Sequence, residues 1–200
     1  MKSKLIIFLI LAVCLSVFAC SCENEQDIAT MGNKVVFDVD GMGEFVIELM
    51  PDKAPETVDN FKKLVSEKFY DGLIFHRVIP GFMAQGGDPD GNGTGGSPDT
   101  IKGEFSANGF KDNDLKHKRG TVSMARTQDP NSASSQFFIC FDDAAHLDGD
   151  YAAFGEVIYG MENVDKIGES VTDANDKPLI DVVIKSARII TDEEYTKKYE

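Results

Sequence analysis

Residues 34–50, KVVFDVDGMGEFVIELM, alternate apolar and polar side chains on either side of Asp40-Gly41-Met42-Gly43. A period of two broken by glycines is the pattern of a β-hairpin. Short strand-like runs recur at TVSMA (121–125), QFFIC (136–140), YAAFGEVI (151–158) and LIDVVIKSARII (179–190). Only two stretches carry helical spacing. APETVDNFKKLVSEKF sets Val58, Phe61, Leu64 and Val65 on one face behind Pro55, and MENVDKI offers Met161, Val164 and Ile167. Strands and helices do not alternate, so a parallel βαβ sheet is excluded. The pattern predicts one mainly β domain over residues 34–190, a closed antiparallel barrel capped by two helices. There is no internal repeat. The charged closing stretch, TDEEYTKKYE at 191–200, is expected to be solvated and frayed.

The first 33 residues belong to something else. Lys2 and Lys4 precede an apolar run from Leu5 to Phe18, too short to cross a bilayer comfortably. That is the layout of a secretory signal over residues 1–19. Val17-Phe18-Ala19-Cys20 is similar to a bacterial lipobox, in which the cysteine is lipidated and becomes the new N-terminus. Cys20 is therefore the expected lipidation site, and Cys22 fits the pattern less well. Residues 20–33 are polar and acidic without periodicity, which predicts a flexible tether. The expected location is the bacterial cell envelope, with the lipid anchor in the membrane. Ser21 after the cysteine favours the outer membrane.

Charge narrows the partners. The formal net charge is −14, and removing Lys2 and Lys4 with the signal brings it to −14 − 2 = −16. A body this acidic argues against nucleic acid and against an electrostatic grip on anionic lipid. Of the four cysteines only Cys140 falls in the domain, inside a strand-like run, so no disulfide framework is expected. His76, His117 and His146 lack metal-ligand spacing, and His76 is expected to be a structural hydrogen-bonding residue beside Arg77. Asp88, Asp90, Asn92 and Gly93, with Asp99 further on, partly match a calcium loop. Pro89, Pro98 and the absence of flanking helices favour a glycine-permissive loop of solvated acids instead. No metal or cofactor is expected. No serine sits on a nucleophile elbow, so a hydrolase is disfavoured.

The segment FHRVIPGFMAQGGD, residues 75–88, poses a different problem. It sets Arg77 and Gln85 among phenylalanines, a methionine, a valine and an isoleucine. Such polar groups enter apolar surroundings only with partners or a purpose. This segment, GTGG at 93–96 and SQFFICFDDAAHLDGDYAAFGEV at 135–157 closely resemble the cyclophilins, peptidyl-prolyl cis-trans isomerases inhibited by cyclosporin. HKRGTVSMARTQDPNSASSQFFI is similar to the bacterial single-domain members.

The resemblance implies an eight-stranded barrel, an isomerase acting on proline-containing polypeptides, and a monomer. It implies that Arg77 is catalytic, that Gln85 orients it, and that Phe82, Met83, Phe138 and Leu147 line the proline pocket. Ala125, Arg126 and Thr127 would bind the peptide main chain, with Gln136 in the neighbouring wall. His146 and Tyr151 stand where drug-sensitive members carry Trp and His, which implies a weaker hold on cyclosporin. Two other classes remain open: a module that grips proline segments without turnover, and a calcium-dependent surface module.

Overall fold

The computed structural model describes residues 31–200, and the proposed signal, Cys20 and most of the tether lie outside the described residues. The described chain builds eight strands: β1 (Lys34–Val39), β2 (Gly43–Leu49), β3 (Arg77–Ile79), β4 (Met83–Gly86), β5 (Thr121–Met124), β6 (Phe137–Cys140), β7 (Ala153–Tyr159) and β8 (Ile184–Ile190). All pair antiparallel in one sheet of order β3-β4-β6-β5-β7-β2-β1-β8. The expected hairpin is present, with Val35 opposite Ile47 and Phe37 opposite Phe45. Its turn needs Gly41 and Gly43 at φ of 69° and 106°, a region that side chains disfavour.

The barrel is not closed, contrary to the sequence expectation. End strands β3 and β8 share no ladder, and the sheet is an open half-barrel. The gap is bridged by residues 72–75, just before β3, through one isolated bridge between Ile74 and Val183. Gly72 and Phe75 donate to the carbonyls of Ile184 and Val182 at 2.8 and 3.0 Å. The reason is local: β3 has only three residues before Pro80-Gly81 turn the chain. Its Val78 N–H donates at 2.8 Å to the carbonyl of Asp176, in the loop before β8.

Helix α1 (Pro55–Ser66) buries Val58, Phe61, Leu64 and Val65, as the spacing predicted. Helix α2 (Met161–Gly168) buries Val164 and Ile167. A third helix, α3 (Asp192–Tyr199), replaces the expected frayed tail. It is started by a capping box, in which Thr191 and Glu194 satisfy each other's backbone N–H groups. Tyr195 and Tyr199 pack against Val36, Val46 and Ile190, and Lys198 pairs with Glu44 at 2.6 Å.

Strand periodicity then separates two apolar layers. Phe137 points inward, where it meets Phe37, Phe61, Tyr70 and Phe75 in an aromatic core. Its neighbour Phe138 points to the opposite face, into a smaller cluster with Met83, Cys140, Ala144 and Leu147. That outer cluster is the floor of the site. Cys140 within it is fully buried, and burial pushes its thiol up to about 12, so it is a small hydrophobe rather than a nucleophile.

Candidate active site

Four adjacent strands present one residue each in a single row. Arg77 on β3 stands opposite Gln85 on β4, Gln85 opposite Phe138 on β6, and Phe138 opposite Ser123 on β5. Pairing across strands therefore explains why the cation and the amide lie in an apolar segment: they occupy the outward row above the aromatic core. A pocket of about 200 Å³ opens over this row, lined by Arg77, Phe82, Met83, Gln85, Ala125, Arg126, Phe138, Leu147 and Tyr151. Nine of the twelve residues expected in the site thus meet in one cavity.

The other three lie around it. Thr127 and Gln136 line a neighbouring cavity of about 490 Å³, which shares Gln85, Ala125 and Arg126 with the first and is floored by residues 93–97. The two form a bipartite groove. His146 sits exposed on the rim, its ring 5.4 Å from that of Phe82. Arg126 is pinned by its Nε and Nη2 donating to the Asp150 carbonyl at 3.1 and 2.9 Å, and its guanidinium lies 4.6 Å over Tyr151. Its Nη1 also donates to the Thr127 carbonyl at 2.8 Å, so its side chain builds wall.

Gln85 stands directly across from Arg77, but its amide is committed elsewhere. Among the described residues no hydrogen bond joins them. Gln85 Nε2 donates to Gln136 Oε1 at 2.7 Å, and Gln136 Nε2 donates to the carbonyls of Gly95 and Gly93 at 2.7 and 3.1 Å. This chain of amides ties the pocket to the glycine-rich loop. Arg77 instead pairs through Nε with Asp176 Oδ2 at 3.5 Å. Nothing in the sequence marked Asp176, which is almost a hundred residues away.

The glycine-rich loop is organised from within. Asp88 is 1% exposed and accepts from the backbone amides of Asp90 at 2.9 Å, Asn92 at 3.0 Å and Gly93. Burial alone would raise its carboxyl, but these donors hold it below the ordinary carboxylate range. Both oxygens are thus committed to the loop's own backbone.

His117 was also missed. It lies beneath the pocket wall, stacked 6.0 Å from Phe138, with Nδ1 3.1 Å from Asp148 and Nε2 3.0 Å from the hydroxyl of Ser123. The spacing is triad-like, yet His117 and Ser123 are buried at 1% and 0% exposure, so this array lies behind the wall and props it. His76 overturns its expectation more sharply: it is buried, and neither ring nitrogen has a hydrogen-bond partner.

Burial lowers both histidines below the usual 6.5, with Asp88 opposing it at His76 and Asp148 at His117. The unfolded chain therefore takes up protons first once pH falls below about 6.5, and stability declines from there downward. His76→Leu removes one such group together with two unpaired polar atoms, at similar volume. The variant should melt at or above the parent's temperature at pH 7.5 and lose less of it at pH 5. Equal losses in calorimetry would show that His76 does not contribute to the acid limb.

The profile of the family described as cyclophilin type peptidyl-prolyl cis-trans isomerase/CLD matches residues 34–189. The chain belongs to the cyclophilin-type isomerases. A probable peptidyl-prolyl cis-trans isomerase of Brucella suis is 52% identical over 138 residues, 62% of this chain and 66% of that protein. The cyclophilin chain therefore spans just under two thirds of that relative's length. A peptidyl-prolyl cis-trans isomerase-like 1 of Gibberella zeae is 43% identical over 154 residues, 76% of this chain and 93% of its own. The crystal structure of a Cryptosporidium parvum cyclophilin type isomerase superposes with a TM-score of 0.73 at 32% identity, covering 80% of this cyclophilin and 98% of that chain. The same protein has been crystallised in the presence of the dipeptide Ala-Pro.

Proposed function

We propose that this cyclophilin accelerates rotation about X-Pro bonds in exported polypeptides as they fold, while held to the cell envelope by lipid on Cys20. One observation carries the catalytic part: a permanent cation, Arg77, lines a pocket otherwise walled by Phe82, Met83, Phe138 and Leu147. Family membership and the neighbour crystallised with Ala-Pro support a proline ring as the occupant.

The chemistry asks for little else. Amide resonance sets a barrier of roughly 18–20 kcal/mol, and the uncatalysed X-Pro event takes roughly 10–100 s. Reaching roughly 10²–10³ s⁻¹ means lowering the barrier by about 4–7 kcal/mol. No bond breaks, so no nucleophile or proton shuttle is required. In the twisted state the proline nitrogen becomes pyramidal and regains its lone pair. A guanidinium donor aimed there stabilises that state, and one such donor supplies roughly 3–4 kcal/mol in a site closed to water. The apolar wall grips the ring, and the carbonyl side turns. Arg77 is 42% exposed in the free protein, so the proline ring itself must complete the exclusion of water.

A protease-coupled isomerisation assay on residues 31–200 tests this. Acceleration of an X-Pro tetrapeptide is expected, and peptide binding without acceleration would favour the non-catalytic gripping module. For anchoring, Cys20→Ala should release the protein from the membrane fraction. Sedimentation of that variant with membranes after a high-salt wash would overturn the lipoprotein reading. The modification must carry more than one acyl chain, because a single chain binds only marginally.

A further inference from the structure

We infer that Asp176 is a positioning residue for the isomerase: its carboxylate and its backbone together set where the Arg77 guanidinium points, an inference that rests on the catalytic reading above. Three observations converge on it. Asp176 Oδ2 lies 3.5 Å from Arg77 Nε and is the only ion-pair partner of Arg77 among the described residues. The carbonyl of the same residue accepts the N–H of Val78, next to Arg77 on β3, at 2.8 Å. Asp176 also has φ of 64°, one of two non-glycine residues among those described in the left-handed region, the other being Lys68.

That conformation is uncommon, and aspartate is among the few side chains that tolerate it. Backbone outliers persist only where the surroundings over-determine them, and they gather at functional sites. Here the surroundings are explicit. The N–H of Asp176 donates to the Asp173 carbonyl at 3.2 Å, and the Asp173 carboxylate accepts from Asn175 and Lys177 N–H at 2.8 and 3.0 Å. Lys177 Nζ reaches the Gly91 carbonyl at 3.2 Å, fastening the turn to the glycine-rich loop beside the groove. The turn therefore takes the place of a strand neighbour along the free edge of β3 and delivers a carboxylate to its first residue.

Geometry decides which donors remain. A guanidinium has five N–H donors in a rigid fork. The Asp176 carboxylate faces Nε as an ion pair at 3.5 Å, without a hydrogen bond. That draws this edge of the fork aside and leaves the two Nη groups for the pocket, where a twisted amide would need them. Without the carboxylate, a long side chain that is 42% exposed samples several rotamers and spends less time aimed. Misplacing a catalytic group by about 1 Å costs up to about 100-fold. The pair here is long and half exposed, so its loss should cost less.

The test uses substitutions that keep the turn. Glycine accepts the left-handed backbone freely and asparagine tolerates it, so neither should lower the melting temperature by more than about 2 °C. Isomerisation of one X-Pro peptide is measured by exchange at saturating peptide, alongside its dissociation constant. Asp176→Gly should slow turnover by about five- to tenfold and Asp176→Asn, which keeps a neutral acceptor, by about threefold. Peptide affinity should stay within twofold in both. In an Arg77→Ala background, Asp176→Gly should change the residual rate by less than twofold, since no guanidinium remains to aim. The same fold-loss in both backgrounds would make the effect one of loop structure and overturn the inference. Full turnover in Asp176→Gly with an active parent would overturn it too. A parent without isomerase activity would instead remove the catalytic reading on which it rests.

Discussion

Arg77→Lys should be almost as inactive as Arg77→Ala, with turnover down by roughly two to three decades in both. The expectation follows from what the side chain must supply rather than from its charge. Lysine keeps the cation but presents a compact, strongly hydrated ammonium without the planar fork. It has no Nε–H to engage Asp176, so the head group loses the contact that aims it. Two to three decades is the loss seen when one donor to developing transition-state charge is removed. Peptide affinity should change far less, because a contact made mainly in the transition state alters rate more than ground-state binding. The pocket walls Phe82, Met83, Phe138 and Leu147 remain in both variants, so the proline ring keeps its grip. Exchange rates and dissociation constants for one X-Pro peptide in the three proteins decide the matter. Near-normal turnover in the lysine variant would mean that positive charge suffices. Large, equal losses of affinity would mean that Arg77 only holds the substrate.

Six of the eight strands were legible in the sequence, the β1–β2 hairpin from its two-residue period around glycines and β5 to β8 from short apolar runs, whereas β3 and β4 lie in a segment read only as apolar. The two-residue period also distinguishes Phe137 from Phe138, one serving the core and the other the pocket. Closure of the barrel was not legible. It turns on whether three residues before Pro80 find a ladder with β8, and the loop carrying Asp176 takes that edge instead. Helix α3 carried a visible signal in Thr191 and Glu194, a capping box, but its two tyrosines gave too thin an apolar face to outweigh its charge. What holds it, Glu44 with Lys198 and Asp192 with Lys34, joins residues more than 150 positions apart.

The site divides along the same line. The pocket residues were placed by resemblance, and nine of them meet in one cavity. Two of their supports were invisible, Asp176 behind Arg77 and His117 behind Phe138, and Gln136 was placed in the neighbouring wall but not as the partner of Gln85. A first contact is a property of motifs, whereas a support depends on which distant loop arrives beside it.

Glu104→Ala should be the most damaging substitution outside the pocket, costing about 3–4 kcal/mol of stability, a fall of about 6–15 °C in melting temperature. Helix α1 begins at Pro55 behind Ala54, and Ala54 has no side chain with which to cap it. A helix start leaves N–H groups that need acceptors. Glu104, 2% exposed and almost fifty residues further along, supplies them. Its Oε1 accepts from Glu56 N–H at 3.1 Å, and its Oε2 from Thr57 N–H at 2.8 Å and from the Thr57 hydroxyl at 2.7 Å. Asn113 locks the same residue to the sheet by donating to the carbonyls of Glu104 and Ala153, each at 2.8 Å. The carboxylate also faces the positive end of the helix dipole, where an anion is favoured. Truncation leaves a fully buried hydroxyl and a buried N–H without partners, and each orphaned group costs about 1–3 kcal/mol. Glu104→Gln should fall between, since its one oxygen can serve Thr57 while its amide NH₂ opposes the Glu56 N–H. Glu56 provides the control. It lies in the same first turn but is exposed, so Glu56→Ala should cost less than about 1 kcal/mol. None of these residues lines the pocket, so kcat at 15 °C should survive in every variant that is folded there. Scanning calorimetry on the three proteins reads the result. Equal melting temperatures for Glu104→Ala and Glu56→Ala would show that water or a local rearrangement caps the helix as well as the buried carboxylate does.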